Sequence, residues 1–357
     1  MEIKRLDWPL NLSIVFLMAA GLLSLTSTAP HLAGPQLLWC LLGFGIIISV
    51  ANFDWRPFAA RPWFSRGIYV IAIVFLALTY FIAPTIRGVR AWIVIGPFQF
   101  QMSELAKFAL ILLYSSFFAK GHTGIAHFKN LFLSFAYLVI PLFFVVIQPD
   151  MGTALILFGI WFCYLLVCGI KWRHLLAAAV IFSAIFVFMW NGFLENYQKD
   201  RISALFHPER DPLGVNYSVI QSKIAIGSAG FFGKGFKQGT QSQLGFLPEA
   251  QTDFIFSSFT EEWGLLGALA VLAVFFTMIF RIIKIGIFAD NNFSRFICLG
   301  ASLLFLLHFV LNVGSCLGLL PVIGVSFPFL SYGGSNLLIN SFLVGMVQSI
   351  ALHRRFQ

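Results

Sequence analysis

Ten apolar runs dominate this sequence, each close to the length that carries an α-helix across a bilayer. They cover residues 10–28, 36–51, 67–83, 103–119, 131–147, 153–170, 174–192, 256–282, 296–317 and 336–352, and only the second is short. About 20 mostly apolar residues span the hydrocarbon core. Inside it every backbone amide must be paired within the protein, which leaves helices or closed barrels, and runs this long are helical. The expectation is an all-α, polytopic membrane protein with about ten transmembrane helices. A charged fraction of 10% against 59% hydrophobic residues agrees, because soluble domains carry roughly a quarter charged residues. The same balance excludes disorder. The first run follows Lys4 and Arg5 as a signal peptide would. Pro30 follows its small-residue stretch and further spans come after it, so it reads as a retained anchor.

The basic residues orient the chain. With the N-terminus in the cytoplasm, about fourteen of the 23 Lys and Arg fall in inside segments, from Lys4 and Arg5 to Arg354 and Arg355. The short outside loops hold only Arg87 and Arg90. Cytoplasmic loops carry the excess of Lys and Arg, so both termini are expected in the cytoplasm, and the chain in the cytoplasmic (inner) membrane. The net charge of +9 is thereby absorbed, and nucleic acid drops out as a partner.

One domain, residues 1–357, then carries one large extracytoplasmic loop, residues 193–255, between spans seven and eight. Within it, Val219, Ile220, Ile224 and Ala225 alternate with Gln221, Ser222 and Lys223 at helical spacing, a pattern suited to a helix at the membrane surface. No repeat relates the two halves, which weighs against an inverted-repeat transporter. All five cysteines lie in apolar runs without metal-ligand spacing, so neither disulfides nor zinc are expected. The stretch Gly227-Ser-Ala-Gly-Phe-Phe-Gly-Lys234 fails as a nucleotide-binding loop, because its spacing is too long and Gly235 stands where Ser or Thr is required.

Ionisable groups at membrane depth are costly, and each is a functional candidate. Glu104 and Lys107 share a helix face at i,i+3, either as a structural ion pair or as a cation held ready for a ligand phosphate. Asp150, on a tight outer turn, reads as a helix cap or a site residue. Asp253 stands where the insert re-enters the membrane, as an N-cap or as a partly desolvated general base. Glu249 and Asp253 are candidate oxygen ligands for a divalent cation such as Mg or Mn. Glu261 and Glu262 lie two to three turns further along. Residues 324–335 break the helical pattern and are expected to frame a site. His308 and Asn312, one turn apart, read as interhelical hydrogen-bonding residues.

Together these motifs resemble the SEDS (shape, elongation, division and sporulation) family of bacterial cell-wall synthesis. The resemblance rests on Phe100-Gln-Met-Ser-Glu-Leu-Ala-Lys107, Gln148-Pro-Asp-Met-Gly-Thr153, Arg210-Asp-Pro-Leu-Gly214, Gln221-Ser-Lys-Ile-Ala-Ile-Gly227, Gly239-Thr-Gln-Ser-Gln243, Leu247-Pro-Glu249, Thr252-Asp-Phe-Ile-Phe256 and Ser331-Tyr-Gly-Gly-Ser335. The Arg210 and Gln221 strings favour the elongation branch. Met102, Gln251, Trp263 and Ser326 depart from residues common in the family. The resemblance implies a peptidoglycan glycosyltransferase that polymerises lipid II at the outer membrane face, alongside a class B penicillin-binding protein. It implies Asp253 as the essential acid and Glu104, Lys107 and Asp150 as cavity residues. Arg87, Arg90, Gln221 and Lys223 complete the candidate substrate-binding set, and membrane lipids surround the spans. No cofactor is certain. The rival readings are a lipid II flippase and a non-catalytic scaffold for the transpeptidase.

Overall fold

The computed structural model describes residues 6–55, 57, 61–84, 89–95, 98–121, 128–174, 176, 180, 190–192, 199, 203, 214 and 216–353. In chain order the elements are α1 (Trp8–Thr28), α2 (Pro30–Ala51), α3 (Pro62–Ile82), β1 (Trp92–Ile95), β2 (Phe98–Gln101), α4 (Met102–Gly121), α5 (Phe128–Ile147) and α6 (Met151–Val167). Then follow α7 (Tyr217–Ser228), α8 (Thr240–Gln243), α9 (Ile255–Ile287), α10 (Asn292–Cys316) and α11 (Gly334–Leu352). Among the described residues eight helices are long and apolar enough to cross a membrane, and α6 is a shorter apolar helix. Nine of the ten apolar runs therefore coincide with helices. The seventh run falls largely outside the described residues, as do Arg87 and most of residues 193–215.

The short second run is completed by its prolines. Pro30 occupies the start of α2, where a missing N–H is no loss, and the helix reaches 22 residues with Pro35 about one turn in. The polar stretch His31 to Gln36 hides this turn from a hydropathy count. At the bundle centre lies α4, with 78% of its span buried against 28% for α3 and 22% for α5. It packs on α3, α5, α6, α10 and α11, while α1 pairs with α9 and α2 with α11.

A polar clasp ties α1, α9 and α11 at one end. Arg281 Nε donates to Asp7 Oδ1 and Oδ2 at 3.0 and 3.1 Å. The Asp7 amide donates to Gln348 Oε1 at 3.0 Å, and Gln348 Nε2 donates to Asp7 O at 3.0 Å and Asn11 Oδ1 at 2.8 Å.

Two features depart from a plain helical bundle. The first is the antiparallel hairpin β1–β2, in register Trp92↔Gln101 to Ile95↔Phe98, which the all-helical expectation lacked. The second is a break in α9, where Gly264 takes φ +69° and ψ −171°. Residues 230–235 of the insert fill the gap. Leu265 N donates to Gly230 O at 3.0 Å and Leu266 N to Phe231 O at 3.2 Å. Lys234 N donates to Glu261 O at 3.0 Å and Gly235 N to Glu262 O at 3.1 Å. Irregular backbone at this depth is tolerated only where protein satisfies the freed groups, and here four bonds do so. The fit excludes side chains: a Cβ on Gly233 would lie 2.1 Å from Glu262 O, and one on Gly264 2.2 Å from Gly233 N.

Candidate active site

Asp253 precedes α9, and its backbone is clamped one carbonyl at a time. Gln251 O accepts from Tyr332 N at 3.0 Å, Thr252 O from Ser331 Oγ at 2.7 Å, and Asp253 O from Asn312 Nδ2 at 2.9 Å. The partners come from the non-helical stretch before α11 and from α10. Ser331 Oγ also accepts from Phe327 N at 2.8 Å, so one hydroxyl locks the loop and the turn together. The N-cap position of α9 is Phe254, so Asp253 stands one residue before it. Its carboxylate faces Gly324 (φ +70°), where an added Cβ would lie 3.7 Å from Oδ2. On the same turn Glu249, at φ 51°, accepts from Thr252 N and Phe254 N through its carbonyl at 3.1 and 3.2 Å. Glu249 Oε2 accepts from Thr252 Oγ1 at 3.2 Å. Among the described residues no group of three or more His, Cys, Asp or Glu is placed to hold a metal ion. The Asp253 carboxylate lies toward Gly324 and that of Glu249 bonds Thr252.

Lys107 is nearly inaccessible, at 1% exposure, on the most buried helix. Its Nζ donates to Glu104 Oε1 at 2.8 Å and lies 3.0 Å from His308 Nε2. His308 Nδ1 lies 3.0 Å from Ser326 O. A carbonyl can only accept, so Nδ1 carries the imidazole proton and Nε2 accepts from the lysine. Glu104 Oε2 is buried without a partner among the described residues. Asn312, one turn beyond His308, donates to Val325 O at 2.8 Å as well as to Asp253 O. Consecutive residues of one loop, 324–326, thus connect the Lys107 network to the Asp253 turn. Residue patterns had marked His308 and Asn312 only as hydrogen-bonding residues; their loop partners lie 13 to 18 positions away in sequence.

Asp150 caps α6, accepting from Thr153 N at 3.0 Å and Thr153 Oγ1 at 2.8 Å, and it also accepts from Gln101 Nε2 at 3.0 Å. Gln101 N donates to Ser335 Oγ at 3.1 Å, and Ser335 Oγ donates to Gln99 O at 2.8 Å. Strand β2 thereby bridges the starts of α6 and α11. Arg90 is exposed beside the hairpin, and Arg87 lies outside the described residues. On α7, Gln221 is half-buried and Lys223 exposed, and the Lys223 stem passes so close to Gly318 that a Cβ there would meet its Cε at 2.4 Å. Ser222 between them donates to Cys316 O at 2.7 Å and accepts from Ser257 Oγ at 2.6 Å, fixing α7 against α9 and α10.

Glu261 is an anchor of the insert. Fully buried, it accepts from Lys234 Nζ at 2.8 Å, Thr240 Oγ1 at 3.2 Å, Gln241 N at 2.8 Å, Ser242 N at 3.1 Å and Ser242 Oγ at 2.9 Å. Its neighbour Glu262 accepts from Ser27 Oγ of α1 and from Gln243 Nε2 at 3.3 Å.

Residues 8–356 match the family FTSW_RODA_SPOVE, described as Cell cycle protein. Peptidoglycan glycosyltransferase MrdB of Escherichia coli K12 is 36% identical over 314 residues, covering 88% of this chain and 84% of that protein. The probable peptidoglycan glycosyltransferase FtsW of Trichlorobacter lovleyi is 33% identical, covering 98% of this chain and 94% of its own. Among solved structures, a chain from a study of how a peptidoglycan synthase complex coordinates polymerization and crosslinking superposes with TM-score 0.83 at 30% identity, covering 98% of each chain. Thermus thermophilus rod shape determining protein RodA superposes with TM-score 0.72 at 26% identity, covering 99% of this chain and 98% of that one. The fold, the Asp253 turn and these matches over nearly the whole length lead to one assignment: this chain is a multi-pass membrane protein of the FtsW/RodA/SpoVE (SEDS) family.

Proposed function

We propose that this chain is a peptidoglycan glycosyltransferase of cell elongation, polymerising lipid II into glycan strands at the outer face of the cytoplasmic membrane. Both termini are then cytoplasmic and the Asp253 turn faces outward. The observation that carries the reading is the 324–326 loop, which holds a carboxylate on one side and a buried lysine network on the other. Joining a sugar hydroxyl to an anomeric carbon that carries a diphosphate needs these two groups: a base for the hydroxyl proton and positive charge for the leaving group. Asp253 takes the proton from the acceptor GlcNAc 4-hydroxyl. Lys107 offsets the diphosphate, aided by Arg87, Arg90 or a divalent cation, while Glu104 holds the lysine. Asp150, Gln221 and Lys223 line the approach. An α-linked donor giving a β-linked product implies a single inverting displacement. A class B penicillin-binding protein crosslinks the new strand.

The test is polymerisation of lipid II by the purified chain with its transpeptidase partner. Glycan polymer should form with the native chain and be lost in Asp253→Asn, while size-exclusion elution and thermal unfolding stay unchanged. A polymerising Asp253→Asn protein would sink the base assignment. Native protein that makes no polymer but moves lipid II across vesicles would establish the flippase instead.

A further inference from the structure

Away from the Asp253 turn, three helices line an open, mostly apolar pocket with two cations among its lining residues. Its volume is about 230 Å³, and its lining includes Arg66 of α3, Leu113, Ser116 and Lys120 of α4, and Tyr137 of α5. Arg66 lies one turn after the start of α3 and Lys120 next to the end of α4, so both sit at one membrane surface, opposite the end of α4 that holds Glu104. A 20-residue helix rises about 30 Å, which puts the two cations at headgroup level of that leaflet. It is the side of the Lys- and Arg-rich connections.

The cavity is a built feature. Leu113, Ser116 and Lys120 follow i, i+3 and i+7 along α4 and present one face. Two clips fix the walls: Tyr69 OH donates to Tyr137 O at 2.7 Å, joining α3 to α5, and Tyr114 OH donates to Ser134 O at 2.9 Å, joining α4 to α5. Among the described residues no carboxylate lines the cavity. Neither Arg66 nor Lys120 forms an ion pair among the described residues. Two unneutralised cations beside an apolar wall call for an anion from outside the chain.

We propose that this cavity binds the phosphodiester headgroup of an anionic glycerophospholipid from the adjoining leaflet. Arg66 and Lys120 hold the phosphate as charge-assisted donors, with the Ser116 and Tyr137 hydroxyls at hand. The volume lies below the roughly 300 Å³ at which pockets for drug-sized ligands begin, and suits a headgroup whose tails stay outside. The surroundings favour a lipid over a soluble anion. Trp63, one turn before Arg66, is 63% exposed, and Val70, one turn after it, is 58% exposed. An interfacial tryptophan followed by a bare apolar stripe gives acyl chains a track into the hydrocarbon. Basic pockets between spans on the cytoplasmic side are known to take such headgroups.

The experiment uses the full chain in nanodiscs of phosphatidylcholine with a minor fraction of photoreactive phosphatidylglycerol. Crosslinks should map to peptides carrying residues 63–70 or 113–120; crosslinks confined to other helices overturn the proposal. Retention of phosphatidylglycerol through purification, read by native mass spectrometry, should fall about 10- to 30-fold in R66Q/K120Q and persist in R66K/K120R. Equal retention in R66Q/K120Q overturns the proposal. Inorganic phosphate should not displace the lipid at millimolar concentration; displacement would assign the cavity to a soluble anion. The crosslinking arm needs only the native chain, so a variant that misfolds leaves the proposal open to refutation.

Discussion

Asn312 donates to the Asp253 carbonyl at 2.9 Å, and the second proton of the same amide reaches Val325 O at 2.8 Å. One side chain therefore sets the distance between the turn that carries the proposed base and the loop that faces it. Asn312→Asp keeps the shape but donates to neither carbonyl. Two buried bonds of about 1 kcal/mol each correspond to about a thirtyfold loss in the rate of polymerisation. That loss should fall on kcat, with KM for lipid II little changed. A variant with native kcat would show that the clamp is dispensable.

Removing Lys107 alone should be worse than removing its whole pair. Lys107→Met leaves the Glu104 carboxylate buried beside no cation, which costs about 3–5 kcal/mol. The double variant E104Q/K107M removes both charges and should recover most of the thermal stability while remaining unable to polymerise lipid II. Melting temperatures of the two in one detergent decide the point. Equal melting temperatures would mean that the pair does not carry the stability assigned to it.

The break in α9 separates conformational strain from collision. Gly245 and Gly264 have similar positive φ, +73° and +69°, but a Cβ at Gly245 meets nothing within 4 Å whereas one at Gly264 strikes Gly233 N. Gly245→Ala should cost about 1 kcal/mol of backbone strain. Gly264→Ala should abolish a monodisperse peak in size-exclusion chromatography, because the backbone of residues 230–235 cannot retreat without losing the bonds that fill the break.

Glu261→Ala should release the distal insert without unfolding the bundle. It strips Lys234, Thr240, Gln241 and Ser242 of their shared acceptor. Bonds to a charged group contribute about 1.5–3 kcal/mol, so trypsin cleavage after Lys234 and Lys237 should accelerate at least about tenfold. Glu261→Gln, which keeps an acceptor oxygen, should fall between the two. Cleavage at the native rate would refute the anchor.

The spans were legible because hydropathy and helix length report the same property, and in α2 the hidden first turn is announced by Pro30. Strand β2 was legible in principle: Phe98-Gln-Phe-Gln101 alternates with period two, but a search tuned to 20-residue runs passes over four-residue strands. Asp253 and Lys107 stood out because charge is scarce in so apolar a chain. What links them did not. His308, Asn312 and Ser331 act through backbone carbonyls, and a carbonyl has no letter in the sequence. Glu261 was visible as an acid, yet its role depends on five donors, all supplied by Lys234 and residues 240–242 through a fold that no local pattern encodes. Asp150 shows the converse: its cap to Thr153 is a three-residue pattern, whereas its bond to Gln101 crosses 49 positions.

The filled break in α9 has a consequence for how the protein is made. Residues 265–287 number about 23 and rise about 34 Å, enough to cross the bilayer by themselves. Residues 255–263 are therefore not needed to reach the length of a span. Residues 230–235 leave the ribosome before Gly264 does, so they must wait until the amides of Leu265 and Leu266 arrive. Only then do the two halves of α9 become one hydrogen-bonded body with the insert. Asp253, at the head of the first half, reaches its clamped position later still, because Asn312, Ser331 and Tyr332, which hold its turn, are made after both halves of α9.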